Sequence, residues 1–315
     1  MTTLVTGANG FVGAALCGKL LETGHRVRGA VRAAGQRSGH LDSVVVGDLT
    51  EQTDWTPALA EVDSVVHLAA RVHVMVEQSA DPLALFRRVN VEGSVNLARQ
   101  AAQAGVKRFV FVSSVKVNGE RTEPGRPFVF DDVPAPQDAY GISKSEAESA
   151  LNQLATQTGM ELVIIRPPLV YGPGVKANFD TMMRWLHRGV PLPLGGVTRN
   201  RRSLIALDNL VDLLTLCLTH PGAANQTFLA SDGHDLSTTE LLTRLGQALG
   251  KPARLLPVPE RLLELGAALI GKREFYDRLC GSLQVDIART RQLLSWSPPV
   301  TVDEGLRLAV RGLRG

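Results

Sequence analysis

The chain has 315 residues, 44% hydrophobic and 21% charged, with 34 basic against 31 acidic side chains and a net charge of +3. That length and composition exclude a mostly disordered chain and suffice for one large domain or two. The near-neutral balance gives no footing for nucleic acid or an anionic membrane as partner.

Short apolar runs at 3–5, 27–31, 44–46, 64–68, 109–113 and 162–165 alternate with longer helical patterns at 12–23, 83–104 and 139–156. This alternation predicts βαβ units around a parallel sheet with helices on both faces. Runs that are apolar throughout fit strands buried on both sides. Residues 120–137 carry four prolines and read as a long loop, a feature that is usually functional in a compact domain. Residues 170–202 are rich in Gly and Pro and read as irregular; the part after 230 reads as helices with short extended pieces. No apolar run approaches the roughly 20 residues that cross a bilayer, and no signal peptide precedes the first strand. Cys17, Cys217 and Cys280 form no CxxC and have no histidine at metal-ligand spacing. The expectation is a cytoplasmic chain with no metal site, no disulfide and no membrane partner.

The first strand runs into Gly7-Ala8-Asn9-Gly10-Phe11-Val12-Gly13 and then a helix. Three glycines at this spacing permit a tight turn, a close backbone approach to a pyrophosphate and close helix–strand packing, with the helix N-terminus facing the phosphates. The second strand should end in an acid if it grips the ribose hydroxyls of NAD. It ends Ala30-Val31-Arg32 instead, with Arg28 and Arg37 nearby, which offers a cation to a 2′-phosphate. The expected cofactor is NADP(H) or NAD(H), with the preference for NADP(H). Asp48, followed by Leu49 in the stretch GDLT, is either an acceptor for the adenine amino group or a helix cap.

The motifs TGANGFVG, GDLT, HLAA, SSV, YGISK and RPPLVYGPG, in this order, resemble the extended short-chain dehydrogenase/reductase family of nucleotide-sugar epimerases, dehydratases and reductases. The resemblance implies an α/β fold, a Rossmann-like doubly wound parallel sheet with a smaller interleaved substrate lobe. The NAD(P)-binding domain would take residues 1–166 plus 203–229, with 204–228 returning to the main sheet. The lobe for a UDP-sugar would take 167–202 plus 230–315. The family commonly dimerises through helices corresponding to 83–104 and 139–156, so a homodimer is expected.

Tyr140 and Lys144 are four apart on a predicted helix and share one face. A free tyrosine is a poor base at neutral pH, and lowering its pKa by about three units takes about 4 kcal/mol of differential interaction. A neighbouring ammonium and an oxidised nicotinamide favour the phenolate. By the resemblance, Ser114 at the end of a strand holds the substrate oxygen with Tyr140, and Lys144 also reaches the nicotinamide ribose. Asn90 would support a water or a backbone carbonyl near Lys144. Leu68, Ala69 and Ala70 would line the cofactor with backbone, as would Pro167 and Leu169 around the nicotinamide. His67 reads as a packed strand residue; His73 is ambiguous.

The resemblance also implies that Leu194, within 189–195, contacts uracil and that Arg202 pairs with the diphosphate. Asn178 and Arg278 are further candidates, and Arg199 or Arg201 is an alternative inward arginine. Val115 and Lys116 follow Ser114 where a dehydratase needs an acid pair, so dehydration is not expected. Lys116 either faces the sugar or points to solvent. The stretches SSVKVNGE, RPPLVYGPGVKANF, NRRSLIALDNLVDL and SDGHDLSTTELL resemble a bacterial O-antigen subgroup, the UDP-2-acetamido-2,6-dideoxy-xylo-4-hexulose 4-reductases, whose members are also labelled UDP-glucose 4-epimerases. The expectation is reduction of a UDP-4-keto-6-deoxy-N-acetylhexosamine to UDP-N-acetylquinovosamine, with a UDP-glucose or UDP-GlcNAc 4-epimerase as the alternative. A non-catalytic cofactor sensor is disfavoured because Ser114, Tyr140 and Lys144 are all kept.

Overall fold

The uniformly apolar runs form strands, and their side chains divide between two cores. The computed structural model describes residues 1–33, 41–72, 81–123, 125–269, 271 and 273–313. In chain order the first elements are β1 (Thr2–Thr6), α1 (Phe11–Glu22), β2 (Arg26–Val31), β3 (Asp42–Val45), α2 (Thr56–Leu59) and β4 (Ser64–His67). Next come α3 (Pro82–Arg87), α4 (Ser94–Gln103), β5 (Arg108–Val112), α5 (Ala139–Thr158) and β6 (Glu161–Arg166). After these run β7 (Leu169–Tyr171), α6 (Ala177–His187), β8 (Leu204–Ala206), α7 (Leu207–Cys217) and β9 (Gln226–Leu229). Five helices close the chain: α8 (Thr238–Leu249), α9 (Glu260–Leu269), α10 (Arg273–Cys280), α11 (Ala288–Leu294) and α12 (Val302–Arg311).

The main sheet has seven strands in the order β3-β2-β1-β4-β5-β6-β9, all parallel. Successive residues serve opposite faces, as the pleat requires. Phe109, Phe111, Leu162 and Ile164 pack with Trp55, Leu97 and Leu151 under α2, α4 and α5. Val110, Val163 and Ile165 pack with Leu16, Leu20, Leu210 and Leu214 under α1 and α7. This doubly wound α/β arrangement is the expected one. The chain reverses direction across the sheet between β1 and β4, and ligands of such sheets bind outside the strand C-termini at that point.

Two stretches differ from expectation. Of residues 204–228, β8 pairs with β7 in a separate two-stranded sheet, and only β9 joins the main one. Residues 170–202 are not irregular: they hold α6, whose Phe179, Met182, Met183 and Leu186 recur at helical spacing and join a third core with Tyr171, Leu245 and Leu306. The Gly-rich flanks conceal that period. The pattern at 83–104 is also not one regular helix. A π-helical turn (Arg88–Gly93) sits between α3 and α4 and carries the buried Asn90, the kind of irregularity that marks functional positions.

The described residues of 120–137 form an anchored loop. Thr122 donates its amide to the Ser282 carbonyl, and Phe128 exchanges amide bonds with Gln284 and Asp286. Among the described residues no helix is long and apolar enough to cross a membrane.

Candidate active site

The β1–α1 turn is built around an uncapped helix end. Gly10 is the N-cap of α1, has no side chain to satisfy the first amides, and no acid occupies the first turn. Those free N–H groups and the positive dipole end are left for an anion. Gly7 has φ +65°, where a side chain is strained, and a Cβ there would lie 3.1 Å from the Ala69 nitrogen. A Cβ on Gly13 would drive into the Gly7 carbonyl. Thr6 Oγ1 accepts the amides of Leu68 and Ala69, each at 3.1 Å, which draws the HLAA segment against the turn. Phe11 and Val12 follow the turn, half-buried on α1.

A cleft of about 560 Å³ opens beside this turn at the β1/β4 reversal. Gly7, Asn9, Arg32, Asp48, Leu49, Ala69 and Ala70 of the sequence-derived set line it. Gly10, Phe11, Val12, Gly13 and Leu68 shape the turn beside it rather than its wall. Arg32 and Asp48 face each other at 3.7 Å, both mostly exposed. Asp48 caps no helix; its carbonyl accepts the Thr53 hydroxyl at 2.7 Å. Arg28 points elsewhere, to Asp42 at 3.0 Å and the Ala60 carbonyl at 2.6 Å. Arg37 and His73 lie outside the described residues. Trp55, Arg71 and Arg88 also line the cleft and were missed from sequence. Trp55 is fully buried and its Nε1–H has no partner among the described residues. Arg71 directly follows HLAA and Arg88 precedes Asn90 by two, so proximity to known motifs was the available signal.

α5 is capped by Asp138, whose Oδ1 accepts the Gly141 amide at 2.7 Å. That start places Tyr140 at the second helical position and Lys144 one turn on. Lys144 is 2% exposed. Its Nζ donates to the Val112 carbonyl at 2.8 Å and lies 4.4 Å from the Phe111 ring centre. The helix face carrying Tyr140 is thereby pinned to the end of β5. Asn90 Nδ2 donates to the Arg71 carbonyl at 3.0 Å and to Ser143 Oγ at 2.9 Å. Its Oδ1 accepts the Arg71 amide at 2.8 Å. Asn90 thus holds the Arg71 carbonyl and ties the segment after HLAA to α5 next to Lys144.

Ser114 does not end a strand: β5 stops at Val112, and Ser114 caps a short 3-10 turn (Val115–Val117) with its Oγ accepting the Lys116 amide at 3.2 Å. The next amide, of Val115, donates to the Pro167 carbonyl at 3.0 Å, so Ser114 and Pro167 are neighbours. Ser113 is buried, and its Oγ has no partner among the described residues. Lys116 does not point to open solvent; it is held by Glu120 and Asp138. His67 is buried between Thr6 Oγ1 at 2.7 Å and Ser94 Oγ at 2.8 Å. Burial, aided by the Lys144 charge, pushes its pKa down to about 3, so it stays neutral.

Burial pushes the Tyr140 hydroxyl well above its ordinary range, and the Asp138 carboxylate adds to the effect. Burial pushes the Lys144 ammonium down to about 7, opposed by Glu148 one turn further on. An unfolded lysine holds its proton up to about 10.5. Between pH 7 and 10.5 the unfolded chain therefore binds the extra proton, and Lys144 makes stability rise with pH by at most about 1.4 kcal/mol per pH unit. Lys144→Met is expected to lack that rise; thermal unfolding of both proteins across this range, compared by difference, measures it.

Asn178 and Leu194 line one apolar crevice of about 30 Å³ with Trp185 and Leu279. Arg278, next to Leu279, is exposed. Arg202 donates to the Gly281 carbonyl at 2.9 Å, and its main chain bridges Leu236 and Leu283. Among the described residues no carboxylate pairs with Arg202, and burial pushes its guanidinium down. Arg199 is exposed and Arg201 lies 3.7 Å from Glu240, so Arg202 is the inward one. These residues gather around the C-terminal end of α10. Leu169, two residues after Pro167, is 46% exposed on β7.

The model of the NAD dependent epimerase/dehydratase family matches residues 3–230. The chain belongs to this family. It is 52% identical over 305 residues to a UDP-glucose 4-epimerase of Vibrio cholerae, covering 96% of this chain and 93% of that one. It is 32% identical over 333 residues to a UDP-glucose 4-epimerase of Mycolicibacterium smegmatis, covering 100% and 99%. Among solved structures, the UDP-N-acetylglucosamine 4-epimerase from Bacillus cereus superposes with a TM-score of 0.81 at 20% identity, covering 100% of both chains.

The open amides of α1, the glycine cradle and the unpartnered Trp55 Nε1–H fit a dinucleotide, as the family requires. Gly13→Ala is expected to weaken NAD binding by roughly 10- to 100-fold, because one methyl against backbone displaces α1 by an overpacking cost of about 1–3 kcal/mol. Calorimetric titration of the variant with NAD measures it.

Proposed function

We propose that this protein is a 4-epimerase acting at C4 of a UDP-sugar, with Ser114, Tyr140 and Lys144 as its catalytic residues. The observation that carries this reading is the 52% identity over 96% of the chain to an enzyme of that activity. The Tyr140–Lys144 face pinned to the end of β5 supports it. It replaces the 4-reductase as the leading reading, because the comparisons favour the alternative expected from sequence.

When bound, NAD would supply a reversible hydride acceptor for C4. The protein's own work is proton transfer and positioning. Tyr140 takes the proton of the 4-hydroxyl as the ketone forms and gives it back as the ketone is reduced. Its phenol is a poor base in this buried position, so the charged form needs cations. Lys144, while it holds its proton, supplies one on the same helix face, and an oxidised nicotinamide would add another. Ser114, half-buried in an extended conformation ahead of the 3-10 turn, would donate a hydrogen bond to the developing oxyanion. Arg202 carries a cation with no carboxylate partner among the described residues, suited to a diphosphate. Asn178, Leu194 and Arg278 lie around the same end of α10, where the uridine would sit.

The test is incubation with UDP-glucose or UDP-GlcNAc and NAD. The expected result is the C4 epimer with no net change in cofactor absorbance. A reductase reading rests on Arg32, which stands at the end of β2 where a 2′-phosphate would lie. It predicts instead stoichiometric NADPH consumption with the UDP-4-keto-6-deoxy-N-acetylhexosamine. Asp48, 3.7 Å from Arg32, opposes a second negative charge at that place and favours NAD.

A further inference from the structure

Lys116 follows Ser114 by two residues, and its ammonium is committed within the chain. Its Nζ lies 2.5 Å from Asp138 Oδ2 and 2.9 Å from Glu120 Oε1. Asp138 is the N-cap of α5, and its other oxygen holds the Gly141 amide. Tyr140 lies between those two residues. The Asp138 charge opposes the phenolate form of Tyr140. The Lys116 backbone is fixed as well: its amide donates to Ser114 Oγ, and a Cβ on Gly141 would meet its carbonyl at 3.0 Å. One residue therefore contacts the Ser114 hydroxyl through its amide and the cap of the tyrosine's helix through its side chain.

We propose that Lys116 is a positioning residue for the proton transfer: its ammonium neutralises the Asp138 carboxylate, so that this carboxylate can cap α5 without opposing charge on Tyr140. This rests on the role of Tyr140 in the proposed function. It assigns Lys116 a place other than the sugar or the solvent. The charged groups around Tyr140 come from several elements. Asp138 and Lys144 belong to α5 and its cap, and Lys116 and Glu120 to the segment after β5. Arg71 stacks at 5.5 Å on Phe86 of α3, whose ring meets Tyr140 edge-on at 6.2 Å. Arg87 and Glu146 pair with each other between α3 and α5. With Glu120 and Asp138 both bound to it, Lys116 leaves the trio with one net negative charge; removing the ammonium leaves two.

The test is titration of tyrosinate absorbance in the NAD-bound protein, with Tyr140→Phe subtracted; the chain has only three tyrosines, which keeps the difference readable. Lys116→Met is expected to move the Tyr140 titration up by about one pH unit, as an uncompensated neighbouring carboxylate does. Lys116→Arg is expected to leave it in place. Asp138→Asn keeps an oxygen for the Gly141 amide, so the double variant Lys116→Met/Asp138→Asn is expected to return the titration to near the wild-type position. An unmoved titration in Lys116→Met, or a double variant no better than the single one, overturns the proposal. An unmoved titration with a raised KM for the UDP-sugar assigns Lys116 to the sugar instead. Because the absorbance is read without substrate, failure to turn over any UDP-sugar would sink the epimerase reading and leave this test intact.

Discussion

Tyr140→Phe is expected to lower kcat by about 10³-fold, the loss of one positioned acid–base group, while leaving the fold and NAD binding intact. The variant removes one hydroxyl from a half-buried ring whose carbon atoms pack edge-on against Phe86. None of the hydrogen bonds that hold α5 uses that hydroxyl. The helix is held by Asp138 at its start and by Lys144 on the Val112 carbonyl. Ser143, which donates to the Tyr140 carbonyl at 2.8 Å, is untouched. Loss of turnover with unchanged thermal unfolding and unchanged NAD affinity identifies a chemical role. Turnover within tenfold of wild type would remove Tyr140 from the proton transfer. The pH profile should be bell-shaped: burial holds the phenol high, so activity falls as pH drops, and it falls again above about pH 7 as Lys144 loses the ammonium that favours the phenolate.

The parts of this molecule visible in its sequence are those governed by local period and local turn chemistry. The uniform apolar runs become strands because each residue of a doubly covered sheet meets one core or the other. The three glycines and the Tyr140–Lys144 spacing carry their geometry within a few residues. What could not be read depends on distant partners. The strands β7 and β8 have three residues each, too few to show a period. The π-helical turn at Asn90 is set by what Asn90 meets, the Arg71 backbone and Ser143 53 residues away. Lys116 looked like either a sugar contact or a solvated side chain because Asp138, 22 residues on, is its partner only in the fold. Trp55 belongs to no motif, and its edge on the cleft appears only once its segment is held to α4, where its amide donates to Gln100 Oε1.

The largest stability effect is expected at the ion pair below the candidate site. Glu148 stands one turn after Lys144 on α5, and Arg166 ends β6. The two are 5% and 6% exposed, with Arg166 Nη2 at 2.6 Å and Nε at 2.9 Å from the carboxylate oxygens. Arg166 also reaches Asn118 Oδ1 at 3.1 Å, so the pair ties the helix, the sheet and the start of the long loop together. Arg166→Met leaves a carboxylate buried without its cation and is expected to cost about 3–5 kcal/mol, read as a lowered denaturant midpoint. The double variant Arg166→Met/Glu148→Leu removes both charges and is expected to recover most of that loss, since an apolar pair of similar volume often matches a buried ion pair. The two proteins should then part in function. Glu148 opposes the fall of the Lys144 pKa, so in the double variant Lys144 loses its proton at a lower pH than in wild type. The refolded double variant is therefore expected to be stable and slow, with the deficit greatest above neutral pH. A double variant as active as wild type across that range would make the pair a stabilising strut only, and would leave Lys144 tuned by its burial alone.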